Sequence, residues 1–181
     1  MEPFTELTIE GVYVCDEQTS STARDEIFAG LAGIEGDRHF GTSKAAGVRE
    51  QKFHERGTEI WNSRQWSAVS MDELAQTAAV MGVPELRADW IGANFVVSGI
   101  DGFTQLPPLT RLVFPSGATL IVYAENLPCS LSARAIKSKT SFTDEQIAAF
   151  VKSAMGRRGV VGWVERAGVI RPGDRVLVYT P

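Results

Sequence analysis

The fold class is decided by the stretch RLVFPSGATLIVY at residues 111–123. Its two apolar runs, 111–114 and 118–123, contain β-branched and aromatic residues, which favour strands. The intervening Pro115-Ser116-Gly117 is a short segment of the kind that joins two paired strands. The stretch therefore predicts a β-hairpin.

Further short apolar runs on both sides of this hairpin have a period near two rather than 3.6. They are Leu7-Thr8-Ile9, Val12-Tyr13-Val14 and residues 94–97, 160–164 and 176–179. Gly11 interrupts the first two runs, as expected of a β-bulge. Between the last two runs, Pro172-Gly173 fits a type II turn. Most of the chain is therefore expected to form strands.

Helices are expected to be few and peripheral. Three are predicted: one from Ser70-x-x-Glu73 to Val80, one from Pro128 towards Lys137, and one after Thr143-x-x-Gln146. The first and the third begin at capping boxes. Many strands with two or three peripheral helices predict a mainly β fold, a closed or nearly closed β-barrel.

The length and composition favour one small globular domain. The chain has 181 residues, which predicts a single domain over 1–181. No run approaches the about 18 consecutive apolar residues of a membrane span, and the acidic N-terminus does not resemble a secretory signal. A cytoplasmic protein without membrane partners is therefore expected. The net charge of −4 argues against nucleic acid as a partner.

The charge is unevenly distributed along the chain. Residues 1–125 contain nine Lys/Arg and 18 Asp/Glu, whereas residues 126–181 contain nine and four. A solvated basic face would explain the second part. The alternative is an anion site for a small phosphate-bearing ligand.

Cys129 is the residue most able to carry chemistry. It lies at the start of the helix predicted from Pro128, since a proline fits the first turn of a helix. A thiol close to a helix N-terminus has a lowered pKa, which favours the thiolate. The alternative is a buried cysteine that acts as a small apolar residue, and Cys15, at the end of a strand, fits that description better. Two cysteines are too few for a disulfide scaffold.

Two loops contain further candidates. Residues 33–64 have few aliphatic side chains and predict a long loop, either functional or disordered. Within it, Asp37, Arg38 and His39 are consecutive. They suit either an anion or cofactor loop or a salt-bridged turn. Residues 156–159, Gly-Arg-Arg-Gly, suit either a helix C-terminus with favourable arginines or a phosphate- or pterin-binding loop.

Five motifs, taken in order, resemble the MOSC domain family, which is named after the C-terminal domain of molybdenum cofactor sulfurase. They are GIEGDRH at 33–39, Arg64-Gln65 ahead of Ser70, GANFVVSGID at 92–101, Pro128-Cys129, and the segment from Arg158 to Val176. The resemblance implies a barrel similar to the pyruvate kinase β-barrel domain. Gly92 departs from the pattern, since some members have arginine there, and residues 41–63 show no pattern to which the resemblance extends.

The resemblance implies one of two activities centred on Cys129. In the first, Cys129 ligates molybdenum in a molybdenum cofactor (Mo-pterin), and the protein reduces an N-hydroxylated small-molecule substrate with electrons from a redox partner. In the second, Cys129 carries a persulfide received from a cysteine desulfurase, for metal–sulfur cluster or cofactor assembly. A soft thiolate suits both.

The same resemblance implies which residues form the site. Cys129 is the expected catalytic residue and metal ligand, and the expected cofactor-binding residues are Asp37, Arg38, His39, Arg64, Ser70, Asn94 and Arg158. The Schiff-base lysine of a pyridoxal phosphate-dependent desulfurase is not evident. A third, non-catalytic possibility is a binding barrel in which Cys129 is part of the core, because a fold does not confer a function.

Overall fold

The structure, a computed structural model, describes residues 2–15 and 21–181. Within them the strands are β1 Thr5–Val14, β2 Thr22–Arg24, β3 Ile27–Gly30, β4 Gly33–Ile34, β5 Ser43–Ala45, β6 Glu59–Trp61, β7 Trp66–Ser70, β8 Phe95–Ser98, β9 Arg111–Val113, β10 Thr119–Glu125, β11 Val160–Arg166, β12 Gly168–Ile170 and β13 Arg175–Tyr179. The α-helices are α1 Met71–Met81, α2 Ser130–Lys139 and α3 Asp144–Ser153. None of the helices in these residues is long and apolar enough to cross a bilayer.

Seven strands form a closed barrel. Their order is β1-β13-β9-β10-β11-β7-β8, and β8 pairs again with β1. Every neighbouring pair is antiparallel except β7 and β8, which run parallel. Closure leaves each of these strands paired on both sides over part of its length, which removes the free edges of an open sheet. The predicted mainly β, closed barrel with peripheral helices is confirmed.

The local predictions around the turns are confirmed. Strands β9 and β10 form the predicted hairpin, with Leu112 opposite Leu120. The register of β1 against β8 shifts between Ile9 and Gly11, which is the expected bulge. In the last turn Gly173 has φ +87, and the N–H of Asp174 donates to the carbonyl of Arg171, as a type II turn requires.

The apolar core has two parts, one on each side of the barrel wall. The interior is filled by side chains such as Leu7, Phe95, Leu112 and Trp66. The second part lies between the outer face of β7 and β8 and the three α-helices; its members include Val69, Val96, Leu74, Ile136 and Phe150. Strands β7 and β8 are therefore buried on both faces, and they hold the helices against one side of the barrel.

The helix termini differ in detail from the prediction. The Ser70 hydroxyl caps α1 by accepting from the N–H of Glu73 at 3.4 Å. The reciprocal half of that capping box was wrong, because the Glu73 carboxylate accepts instead from the N–H and the hydroxyl of Thr104, at 3.0 and 2.6 Å. Helix α3 has the complete capping box predicted at Thr143-x-x-Gln146.

Two boundaries near the site also differ. Helix α2 begins at Ser130, so Cys129 is its N-cap and Pro128 lies outside the helix. Helix α3 ends at Ser153, and Gly156, with φ +72, lies beyond its C-cap rather than forming it. Pro128 therefore precedes the N-cap instead of lying in the first turn, and Cys129 is at the helix N-terminus as predicted.

The prediction of a long loop over residues 33–64 was wrong. That stretch contains β4, β5 and β6, and β5 pairs with β6 from Ser43–Trp61 to Ala45–Glu59. Strand β12 also lies where only a turn was predicted, and it pairs with β3. These strands have two to four residues, too few to establish an alternating pattern.

Candidate functional site

A cavity of about 190 Å³ lies beside β7, β11 and the N-terminus of α2. Five predicted site residues line it: Arg38, His39, Arg64, Cys129 and Arg158. Arg49, from the segment that matched no motif, also lines it. The predicted residues Asp37, Ser70 and Asn94 are buried outside the lining. The fold therefore brings the cysteine and four arginines to one cavity.

Cys129 is partly exposed on the cavity surface, whereas Cys15 is fully buried. As the N-cap residue, Cys129 accepts the N–H of Ala133 with its carbonyl, and its sulfur lies 3.7 Å from the Ser132 hydroxyl. Burial raises the pKa of the thiol. The N–H and hydroxyl of Ser132, the N–H of Leu131 and the charge of Arg49 lower that pKa by more, so the thiolate is favoured.

Partly buried Arg64 and buried Arg158 supply positive charge beside this thiol. The Arg64 guanidinium donates to the Asn126 side-chain oxygen at 2.7 Å. Burial lowers the pKa of both arginines to about 10, and the neighbouring charge of Arg49 acts in the same direction. Because about 10 is well above neutral pH, both guanidinium groups stay protonated at neutral pH.

Arg158 is the most deeply buried of the cationic groups. Its Nη2 donates to the carbonyl of Ile91 at 2.7 Å, while Nε and Nη1 have no hydrogen-bond partner among the described residues. The adjacent Arg157 donates instead to the carbonyl of Ser153 and to Gln76. The two interpretations of the Gly-Arg-Arg-Gly loop therefore apply to different residues. Arg157 contacts the end of the helix, and Arg158 lines the cavity.

Asp37 organises the base of the site without lining the cavity. Its carboxylate accepts from the N–H of Cys15 at 3.0 Å, from the Asn94 amide at 2.7 Å, and from the N–H and Nδ1 of His39 at 2.9 and 3.0 Å. Asn94 in turn accepts the N–H of Ser67 on β7. Asp37 and Asn94 thus connect β1, the 37–39 turn and β7. The contact between Asp37 and His39 fits the predicted salt-bridged turn, while Arg38 of the same turn lines the cavity.

Replacing Asp37 with asparagine should destabilise the protein at neutral pH by about 2 kcal/mol, because an amide N–H₂ would face groups that already donate. Burial raises the pKa of Asp37, but the hydrogen bonds from His39 and Cys15 lower it by more, so it lies below its ordinary value. A lowered pKa stabilises the fold above the ordinary value, and that contribution is lost as the pH falls through the folded-state value. Urea unfolding at neutral and acidic pH should therefore show a gap between wild type and D37N that narrows in acid; equal stability at neutral pH would contradict this role.

Arg49 was not predicted, and neither was Asn126. Arg49 donates to the carbonyl of Leu127 at 3.1 Å, which connects the β5–β6 segment to the residues before Cys129. The nearby carboxylate of Glu50 is engaged by Lys44 at 2.7 Å and by the N–H of Gly47. Lys137 pairs with Asp144, whereas the charge of Arg49 acts on the Cys129 thiol.

Replacing Arg49 with glutamine should raise the pKa of Cys129, since a positive charge that favours the thiolate is removed. The pH dependence of Cys129 alkylation by iodoacetamide measures this directly. The matched control is Arg157→Gln, which removes a nearby arginine that does not line the cavity. Identical alkylation profiles for wild type and R49Q would contradict the assigned role of Arg49.

Comparison with known proteins identifies related sequences and structures. A family model described as the MOSC domain matches residues 35–177. The Bacillus subtilis (strain 168) protein YuaD is 42% identical over 172 residues, covering 94% of this chain and 89% of YuaD. Its name provisionally assigns YuaD to metal–sulfur cluster biosynthesis.

The structural relatives agree with the sequence comparison. The crystal structure of YuaD from Bacillus subtilis superposes with a TM-score of 0.93 at 40% identity, covering 98% of this chain and 97% of that one. YiiM from Geobacillus stearothermophilus gives 0.65 at 16% identity, covering 95% and 74%, and YiiM from Escherichia coli gives 0.62 at 12%, covering 98% and 71%. The two YiiM structures share the fold.

Proposed function

The chain belongs to the MOSC domain family, and we propose that it is a sulfur carrier whose Cys129 holds a persulfide for metal–sulfur cluster assembly. The observation that carries this proposal is a partly exposed cysteine with a lowered pKa in a cavity lined by four arginines. The name of the Bacillus subtilis relative supports the destination of the sulfur.

The transfer uses the Cys129 thiolate as the nucleophile. It attacks the outer sulfur of a persulfide on a donor protein, such as a cysteine desulfurase, and the donor's S–S bond breaks. The electron pair of that bond leaves on the donor cysteine, which becomes a thiolate, while Cys129 becomes the persulfide. Charge and protons balance, because one thiolate and one persulfide are present before and after the step.

The surroundings of Cys129 suit both the thiolate and the ionised persulfide. The N–H groups of Leu131 and Ser132 and the charge of Arg49 favour an anionic sulfur, whether thiolate or ionised persulfide. The cations Arg64 and Arg158 extend the same potential across the cavity. Release to an acceptor then requires attack on the outer sulfur by a second thiolate or a two-electron reductant at the receiving centre.

The molybdenum cofactor hypothesis stays a prediction. The donor set fits it in kind, since a thiolate suits molybdenum and arginines suit a phosphate. The cavity of about 190 Å³ is small beside the roughly 300–1,000 Å³ usual for bound organic ligands, which makes this hypothesis the weaker of the two. The reduction of N-hydroxylated substrates and the redox partner that it requires are therefore not part of the proposed function.

Sulfur loading of the intact chain tests the proposal. The protein is incubated with a cysteine desulfurase and cysteine, and its mass is measured before and after, followed by peptide mapping under non-reducing conditions. One added sulfur atom on the peptide that contains Cys129 is expected. No added sulfur, or sulfur confined to Cys15, would refute the assignment. Elemental analysis of the same preparation for molybdenum tests the rival prediction.

A further inference from the structure

We propose that the cavity admits a small oxyanion bearing a transferable sulfane sulfur, of the thiosulfate class, and that Cys129 takes sulfur directly from it. The inference rests on the proposed function, because it uses the same sulfur-accepting thiolate. It adds the chemical class of a substrate: an inorganic dianion that needs no donor protein.

The first argument is the charge of the lining. Arg38, Arg49, Arg64 and Arg158 face one small space, and no Asp or Glu of the described residues lines it. The neighbouring carboxylate of Glu50 is engaged by Lys44. A single thiolate offsets only one of these positive charges. A dianion entering the cavity would offset more of them in a partly buried site, where screening by solvent is weak.

The second argument is a set of unsatisfied donors in the cavity wall. Arg158 is 4% exposed, and its Nε and Nη1 have no hydrogen-bond partner among the described residues. Buried donors left unpaired are costly, and oxyanion oxygens are strong acceptors for them. The N-terminus of α2, ten residues long, adds a second favourable feature for an anion.

The third argument is size. A cavity of about 190 Å³ is below the roughly 300–1,000 Å³ range of pockets for organic ligands. An ion of five non-hydrogen atoms is small enough to lie beside Cys129 with its sulfonate oxygens towards the arginines. The small volume thus favours a compact inorganic donor over a larger organic one.

The reaction balances without any external oxidant. The Cys129 thiolate forms a bond to the outer sulfur of thiosulfate, and the S–S bond of thiosulfate breaks. Its electron pair leaves with sulfite, and the transferred sulfur ends as an ionised persulfide on Cys129. The total charge is three negative charges on each side. The arginines contribute by stabilising the dianion that enters and the sulfite dianion that leaves.

The test gives the full chain thiosulfate whose outer sulfur is isotopically labelled, and measures labelled sulfur on Cys129 together with released sulfite. One sulfite per sulfur transferred is expected. The arginines also favour the thiolate, so a variant could load sulfur more slowly only because less of its Cys129 is ionised. Each loading rate is therefore divided by the rate at which the same protein is alkylated by neutral iodoacetamide. This ratio should fall roughly tenfold in R49Q, R64Q and R158K, as expected for the loss of hydrogen bonds to a charged group. It should be unchanged in R157Q.

A parallel incubation with cysteine desulfurase and cysteine separates the two proposals. Loading by the desulfurase but not by thiosulfate would overturn the thiosulfate inference and leave the carrier function intact. Loading by neither donor would overturn both. Thiosulfate loading whose normalised rate is equal in wild type and in all three cavity variants would also overturn the inference, because the arginines would then not bind the anion.

Discussion

Replacing Cys129 with serine is expected to abolish sulfur loading completely. A serine hydroxyl is not ionised at neutral pH and does not attack the outer sulfur of a persulfide. The change should leave the fold intact, because position 129 is the N-cap of α2 and serine is among the best residues there. Lost loading in a folded, equally stable C129S protein would therefore report chemistry and not misfolding.

The matched control is Cys15→Ala, which removes the chain's other cysteine. Cys15 is fully buried, and its backbone makes its contacts with Asp37 and Arg38, so the alanine variant retains them. We expect C15A to accept one sulfur atom as the wild type does. Intact mass after incubation with cysteine desulfurase and cysteine measures both variants. Equal loading of C129S and wild type would show that Cys129 is not the residue that accepts sulfur.

Replacing Gly159 with alanine should lower the free energy of unfolding by about 4 kcal/mol, which is among the larger effects of single substitutions. A Cβ on Gly159 would lie 1.9 Å from the carbonyl oxygen of Ala68 on the paired strand β7. The φ of +85 adds strain, since a side chain disfavours that conformation. The added Cβ and the Ala68 carbonyl oxygen are not the ends of flexible side chains, so the backbone of β7 or β11 must move.

The same substitution should disturb the cavity as well as the barrel. The N–H of Gly159 donates to the Thr104 hydroxyl at 2.7 Å, and its carbonyl accepts the N–H of Asn126 at 2.8 Å. Asn126 in turn holds the guanidinium of Arg64. Movement at Gly159 therefore displaces one of the cations beside Cys129.

The control for this prediction is Gly173→Ala. Gly173 has nearly the same φ, +87, but no atom lies within 4 Å of the Cβ position, so only the strain of about 1 kcal/mol remains. Urea denaturation of both variants separates the cost of the steric clash from the cost of the positive φ. A G159A protein no less stable than G173A would show that the barrel accommodates the extra methyl group, contrary to the packing described here.

The barrel could be predicted from sequence because its longer strands show their pattern locally. The hairpin at residues 111–123 and the bulge at Gly11 depend on neighbours in the chain, and both are confirmed. Strands β4 to β6 and β12 could not be found in this way. They have only two or three residues, and β12 pairs with β3, which is far away in sequence.

The site was predicted in part. Cys129, Arg64 and Arg158 came from motifs, and the fold brings them to one cavity. Arg49 could not be assigned, because the β5–β6 segment that carries it has no recognisable motif. Its only signal was an arginine in a stretch with few aliphatic residues.

The sequence does not show whether a polar side chain faces the cavity or the protein interior. Asp37, Asn94 and Ser70 are polar residues in the right motifs, yet each is buried with its side chain engaged by backbone or side-chain groups of the protein. A buried carboxylate that accepts hydrogen bonds and an exposed one that binds a ligand look the same in a sequence. The structure separates these positioning residues from those that line the cavity.

The central claim is that Cys129 is an accessible thiolate in the native protein, and its alkylation as a function of pH measures this most directly. Native protein is treated with iodoacetamide across a pH series, and the modified cysteine is identified by peptide mapping. We predict modification of Cys129 before Cys15, with a midpoint below that of the same thiol in urea-unfolded protein. A native Cys129 that resists alkylation, or reacts with a midpoint at or above the unfolded value, would contradict the account.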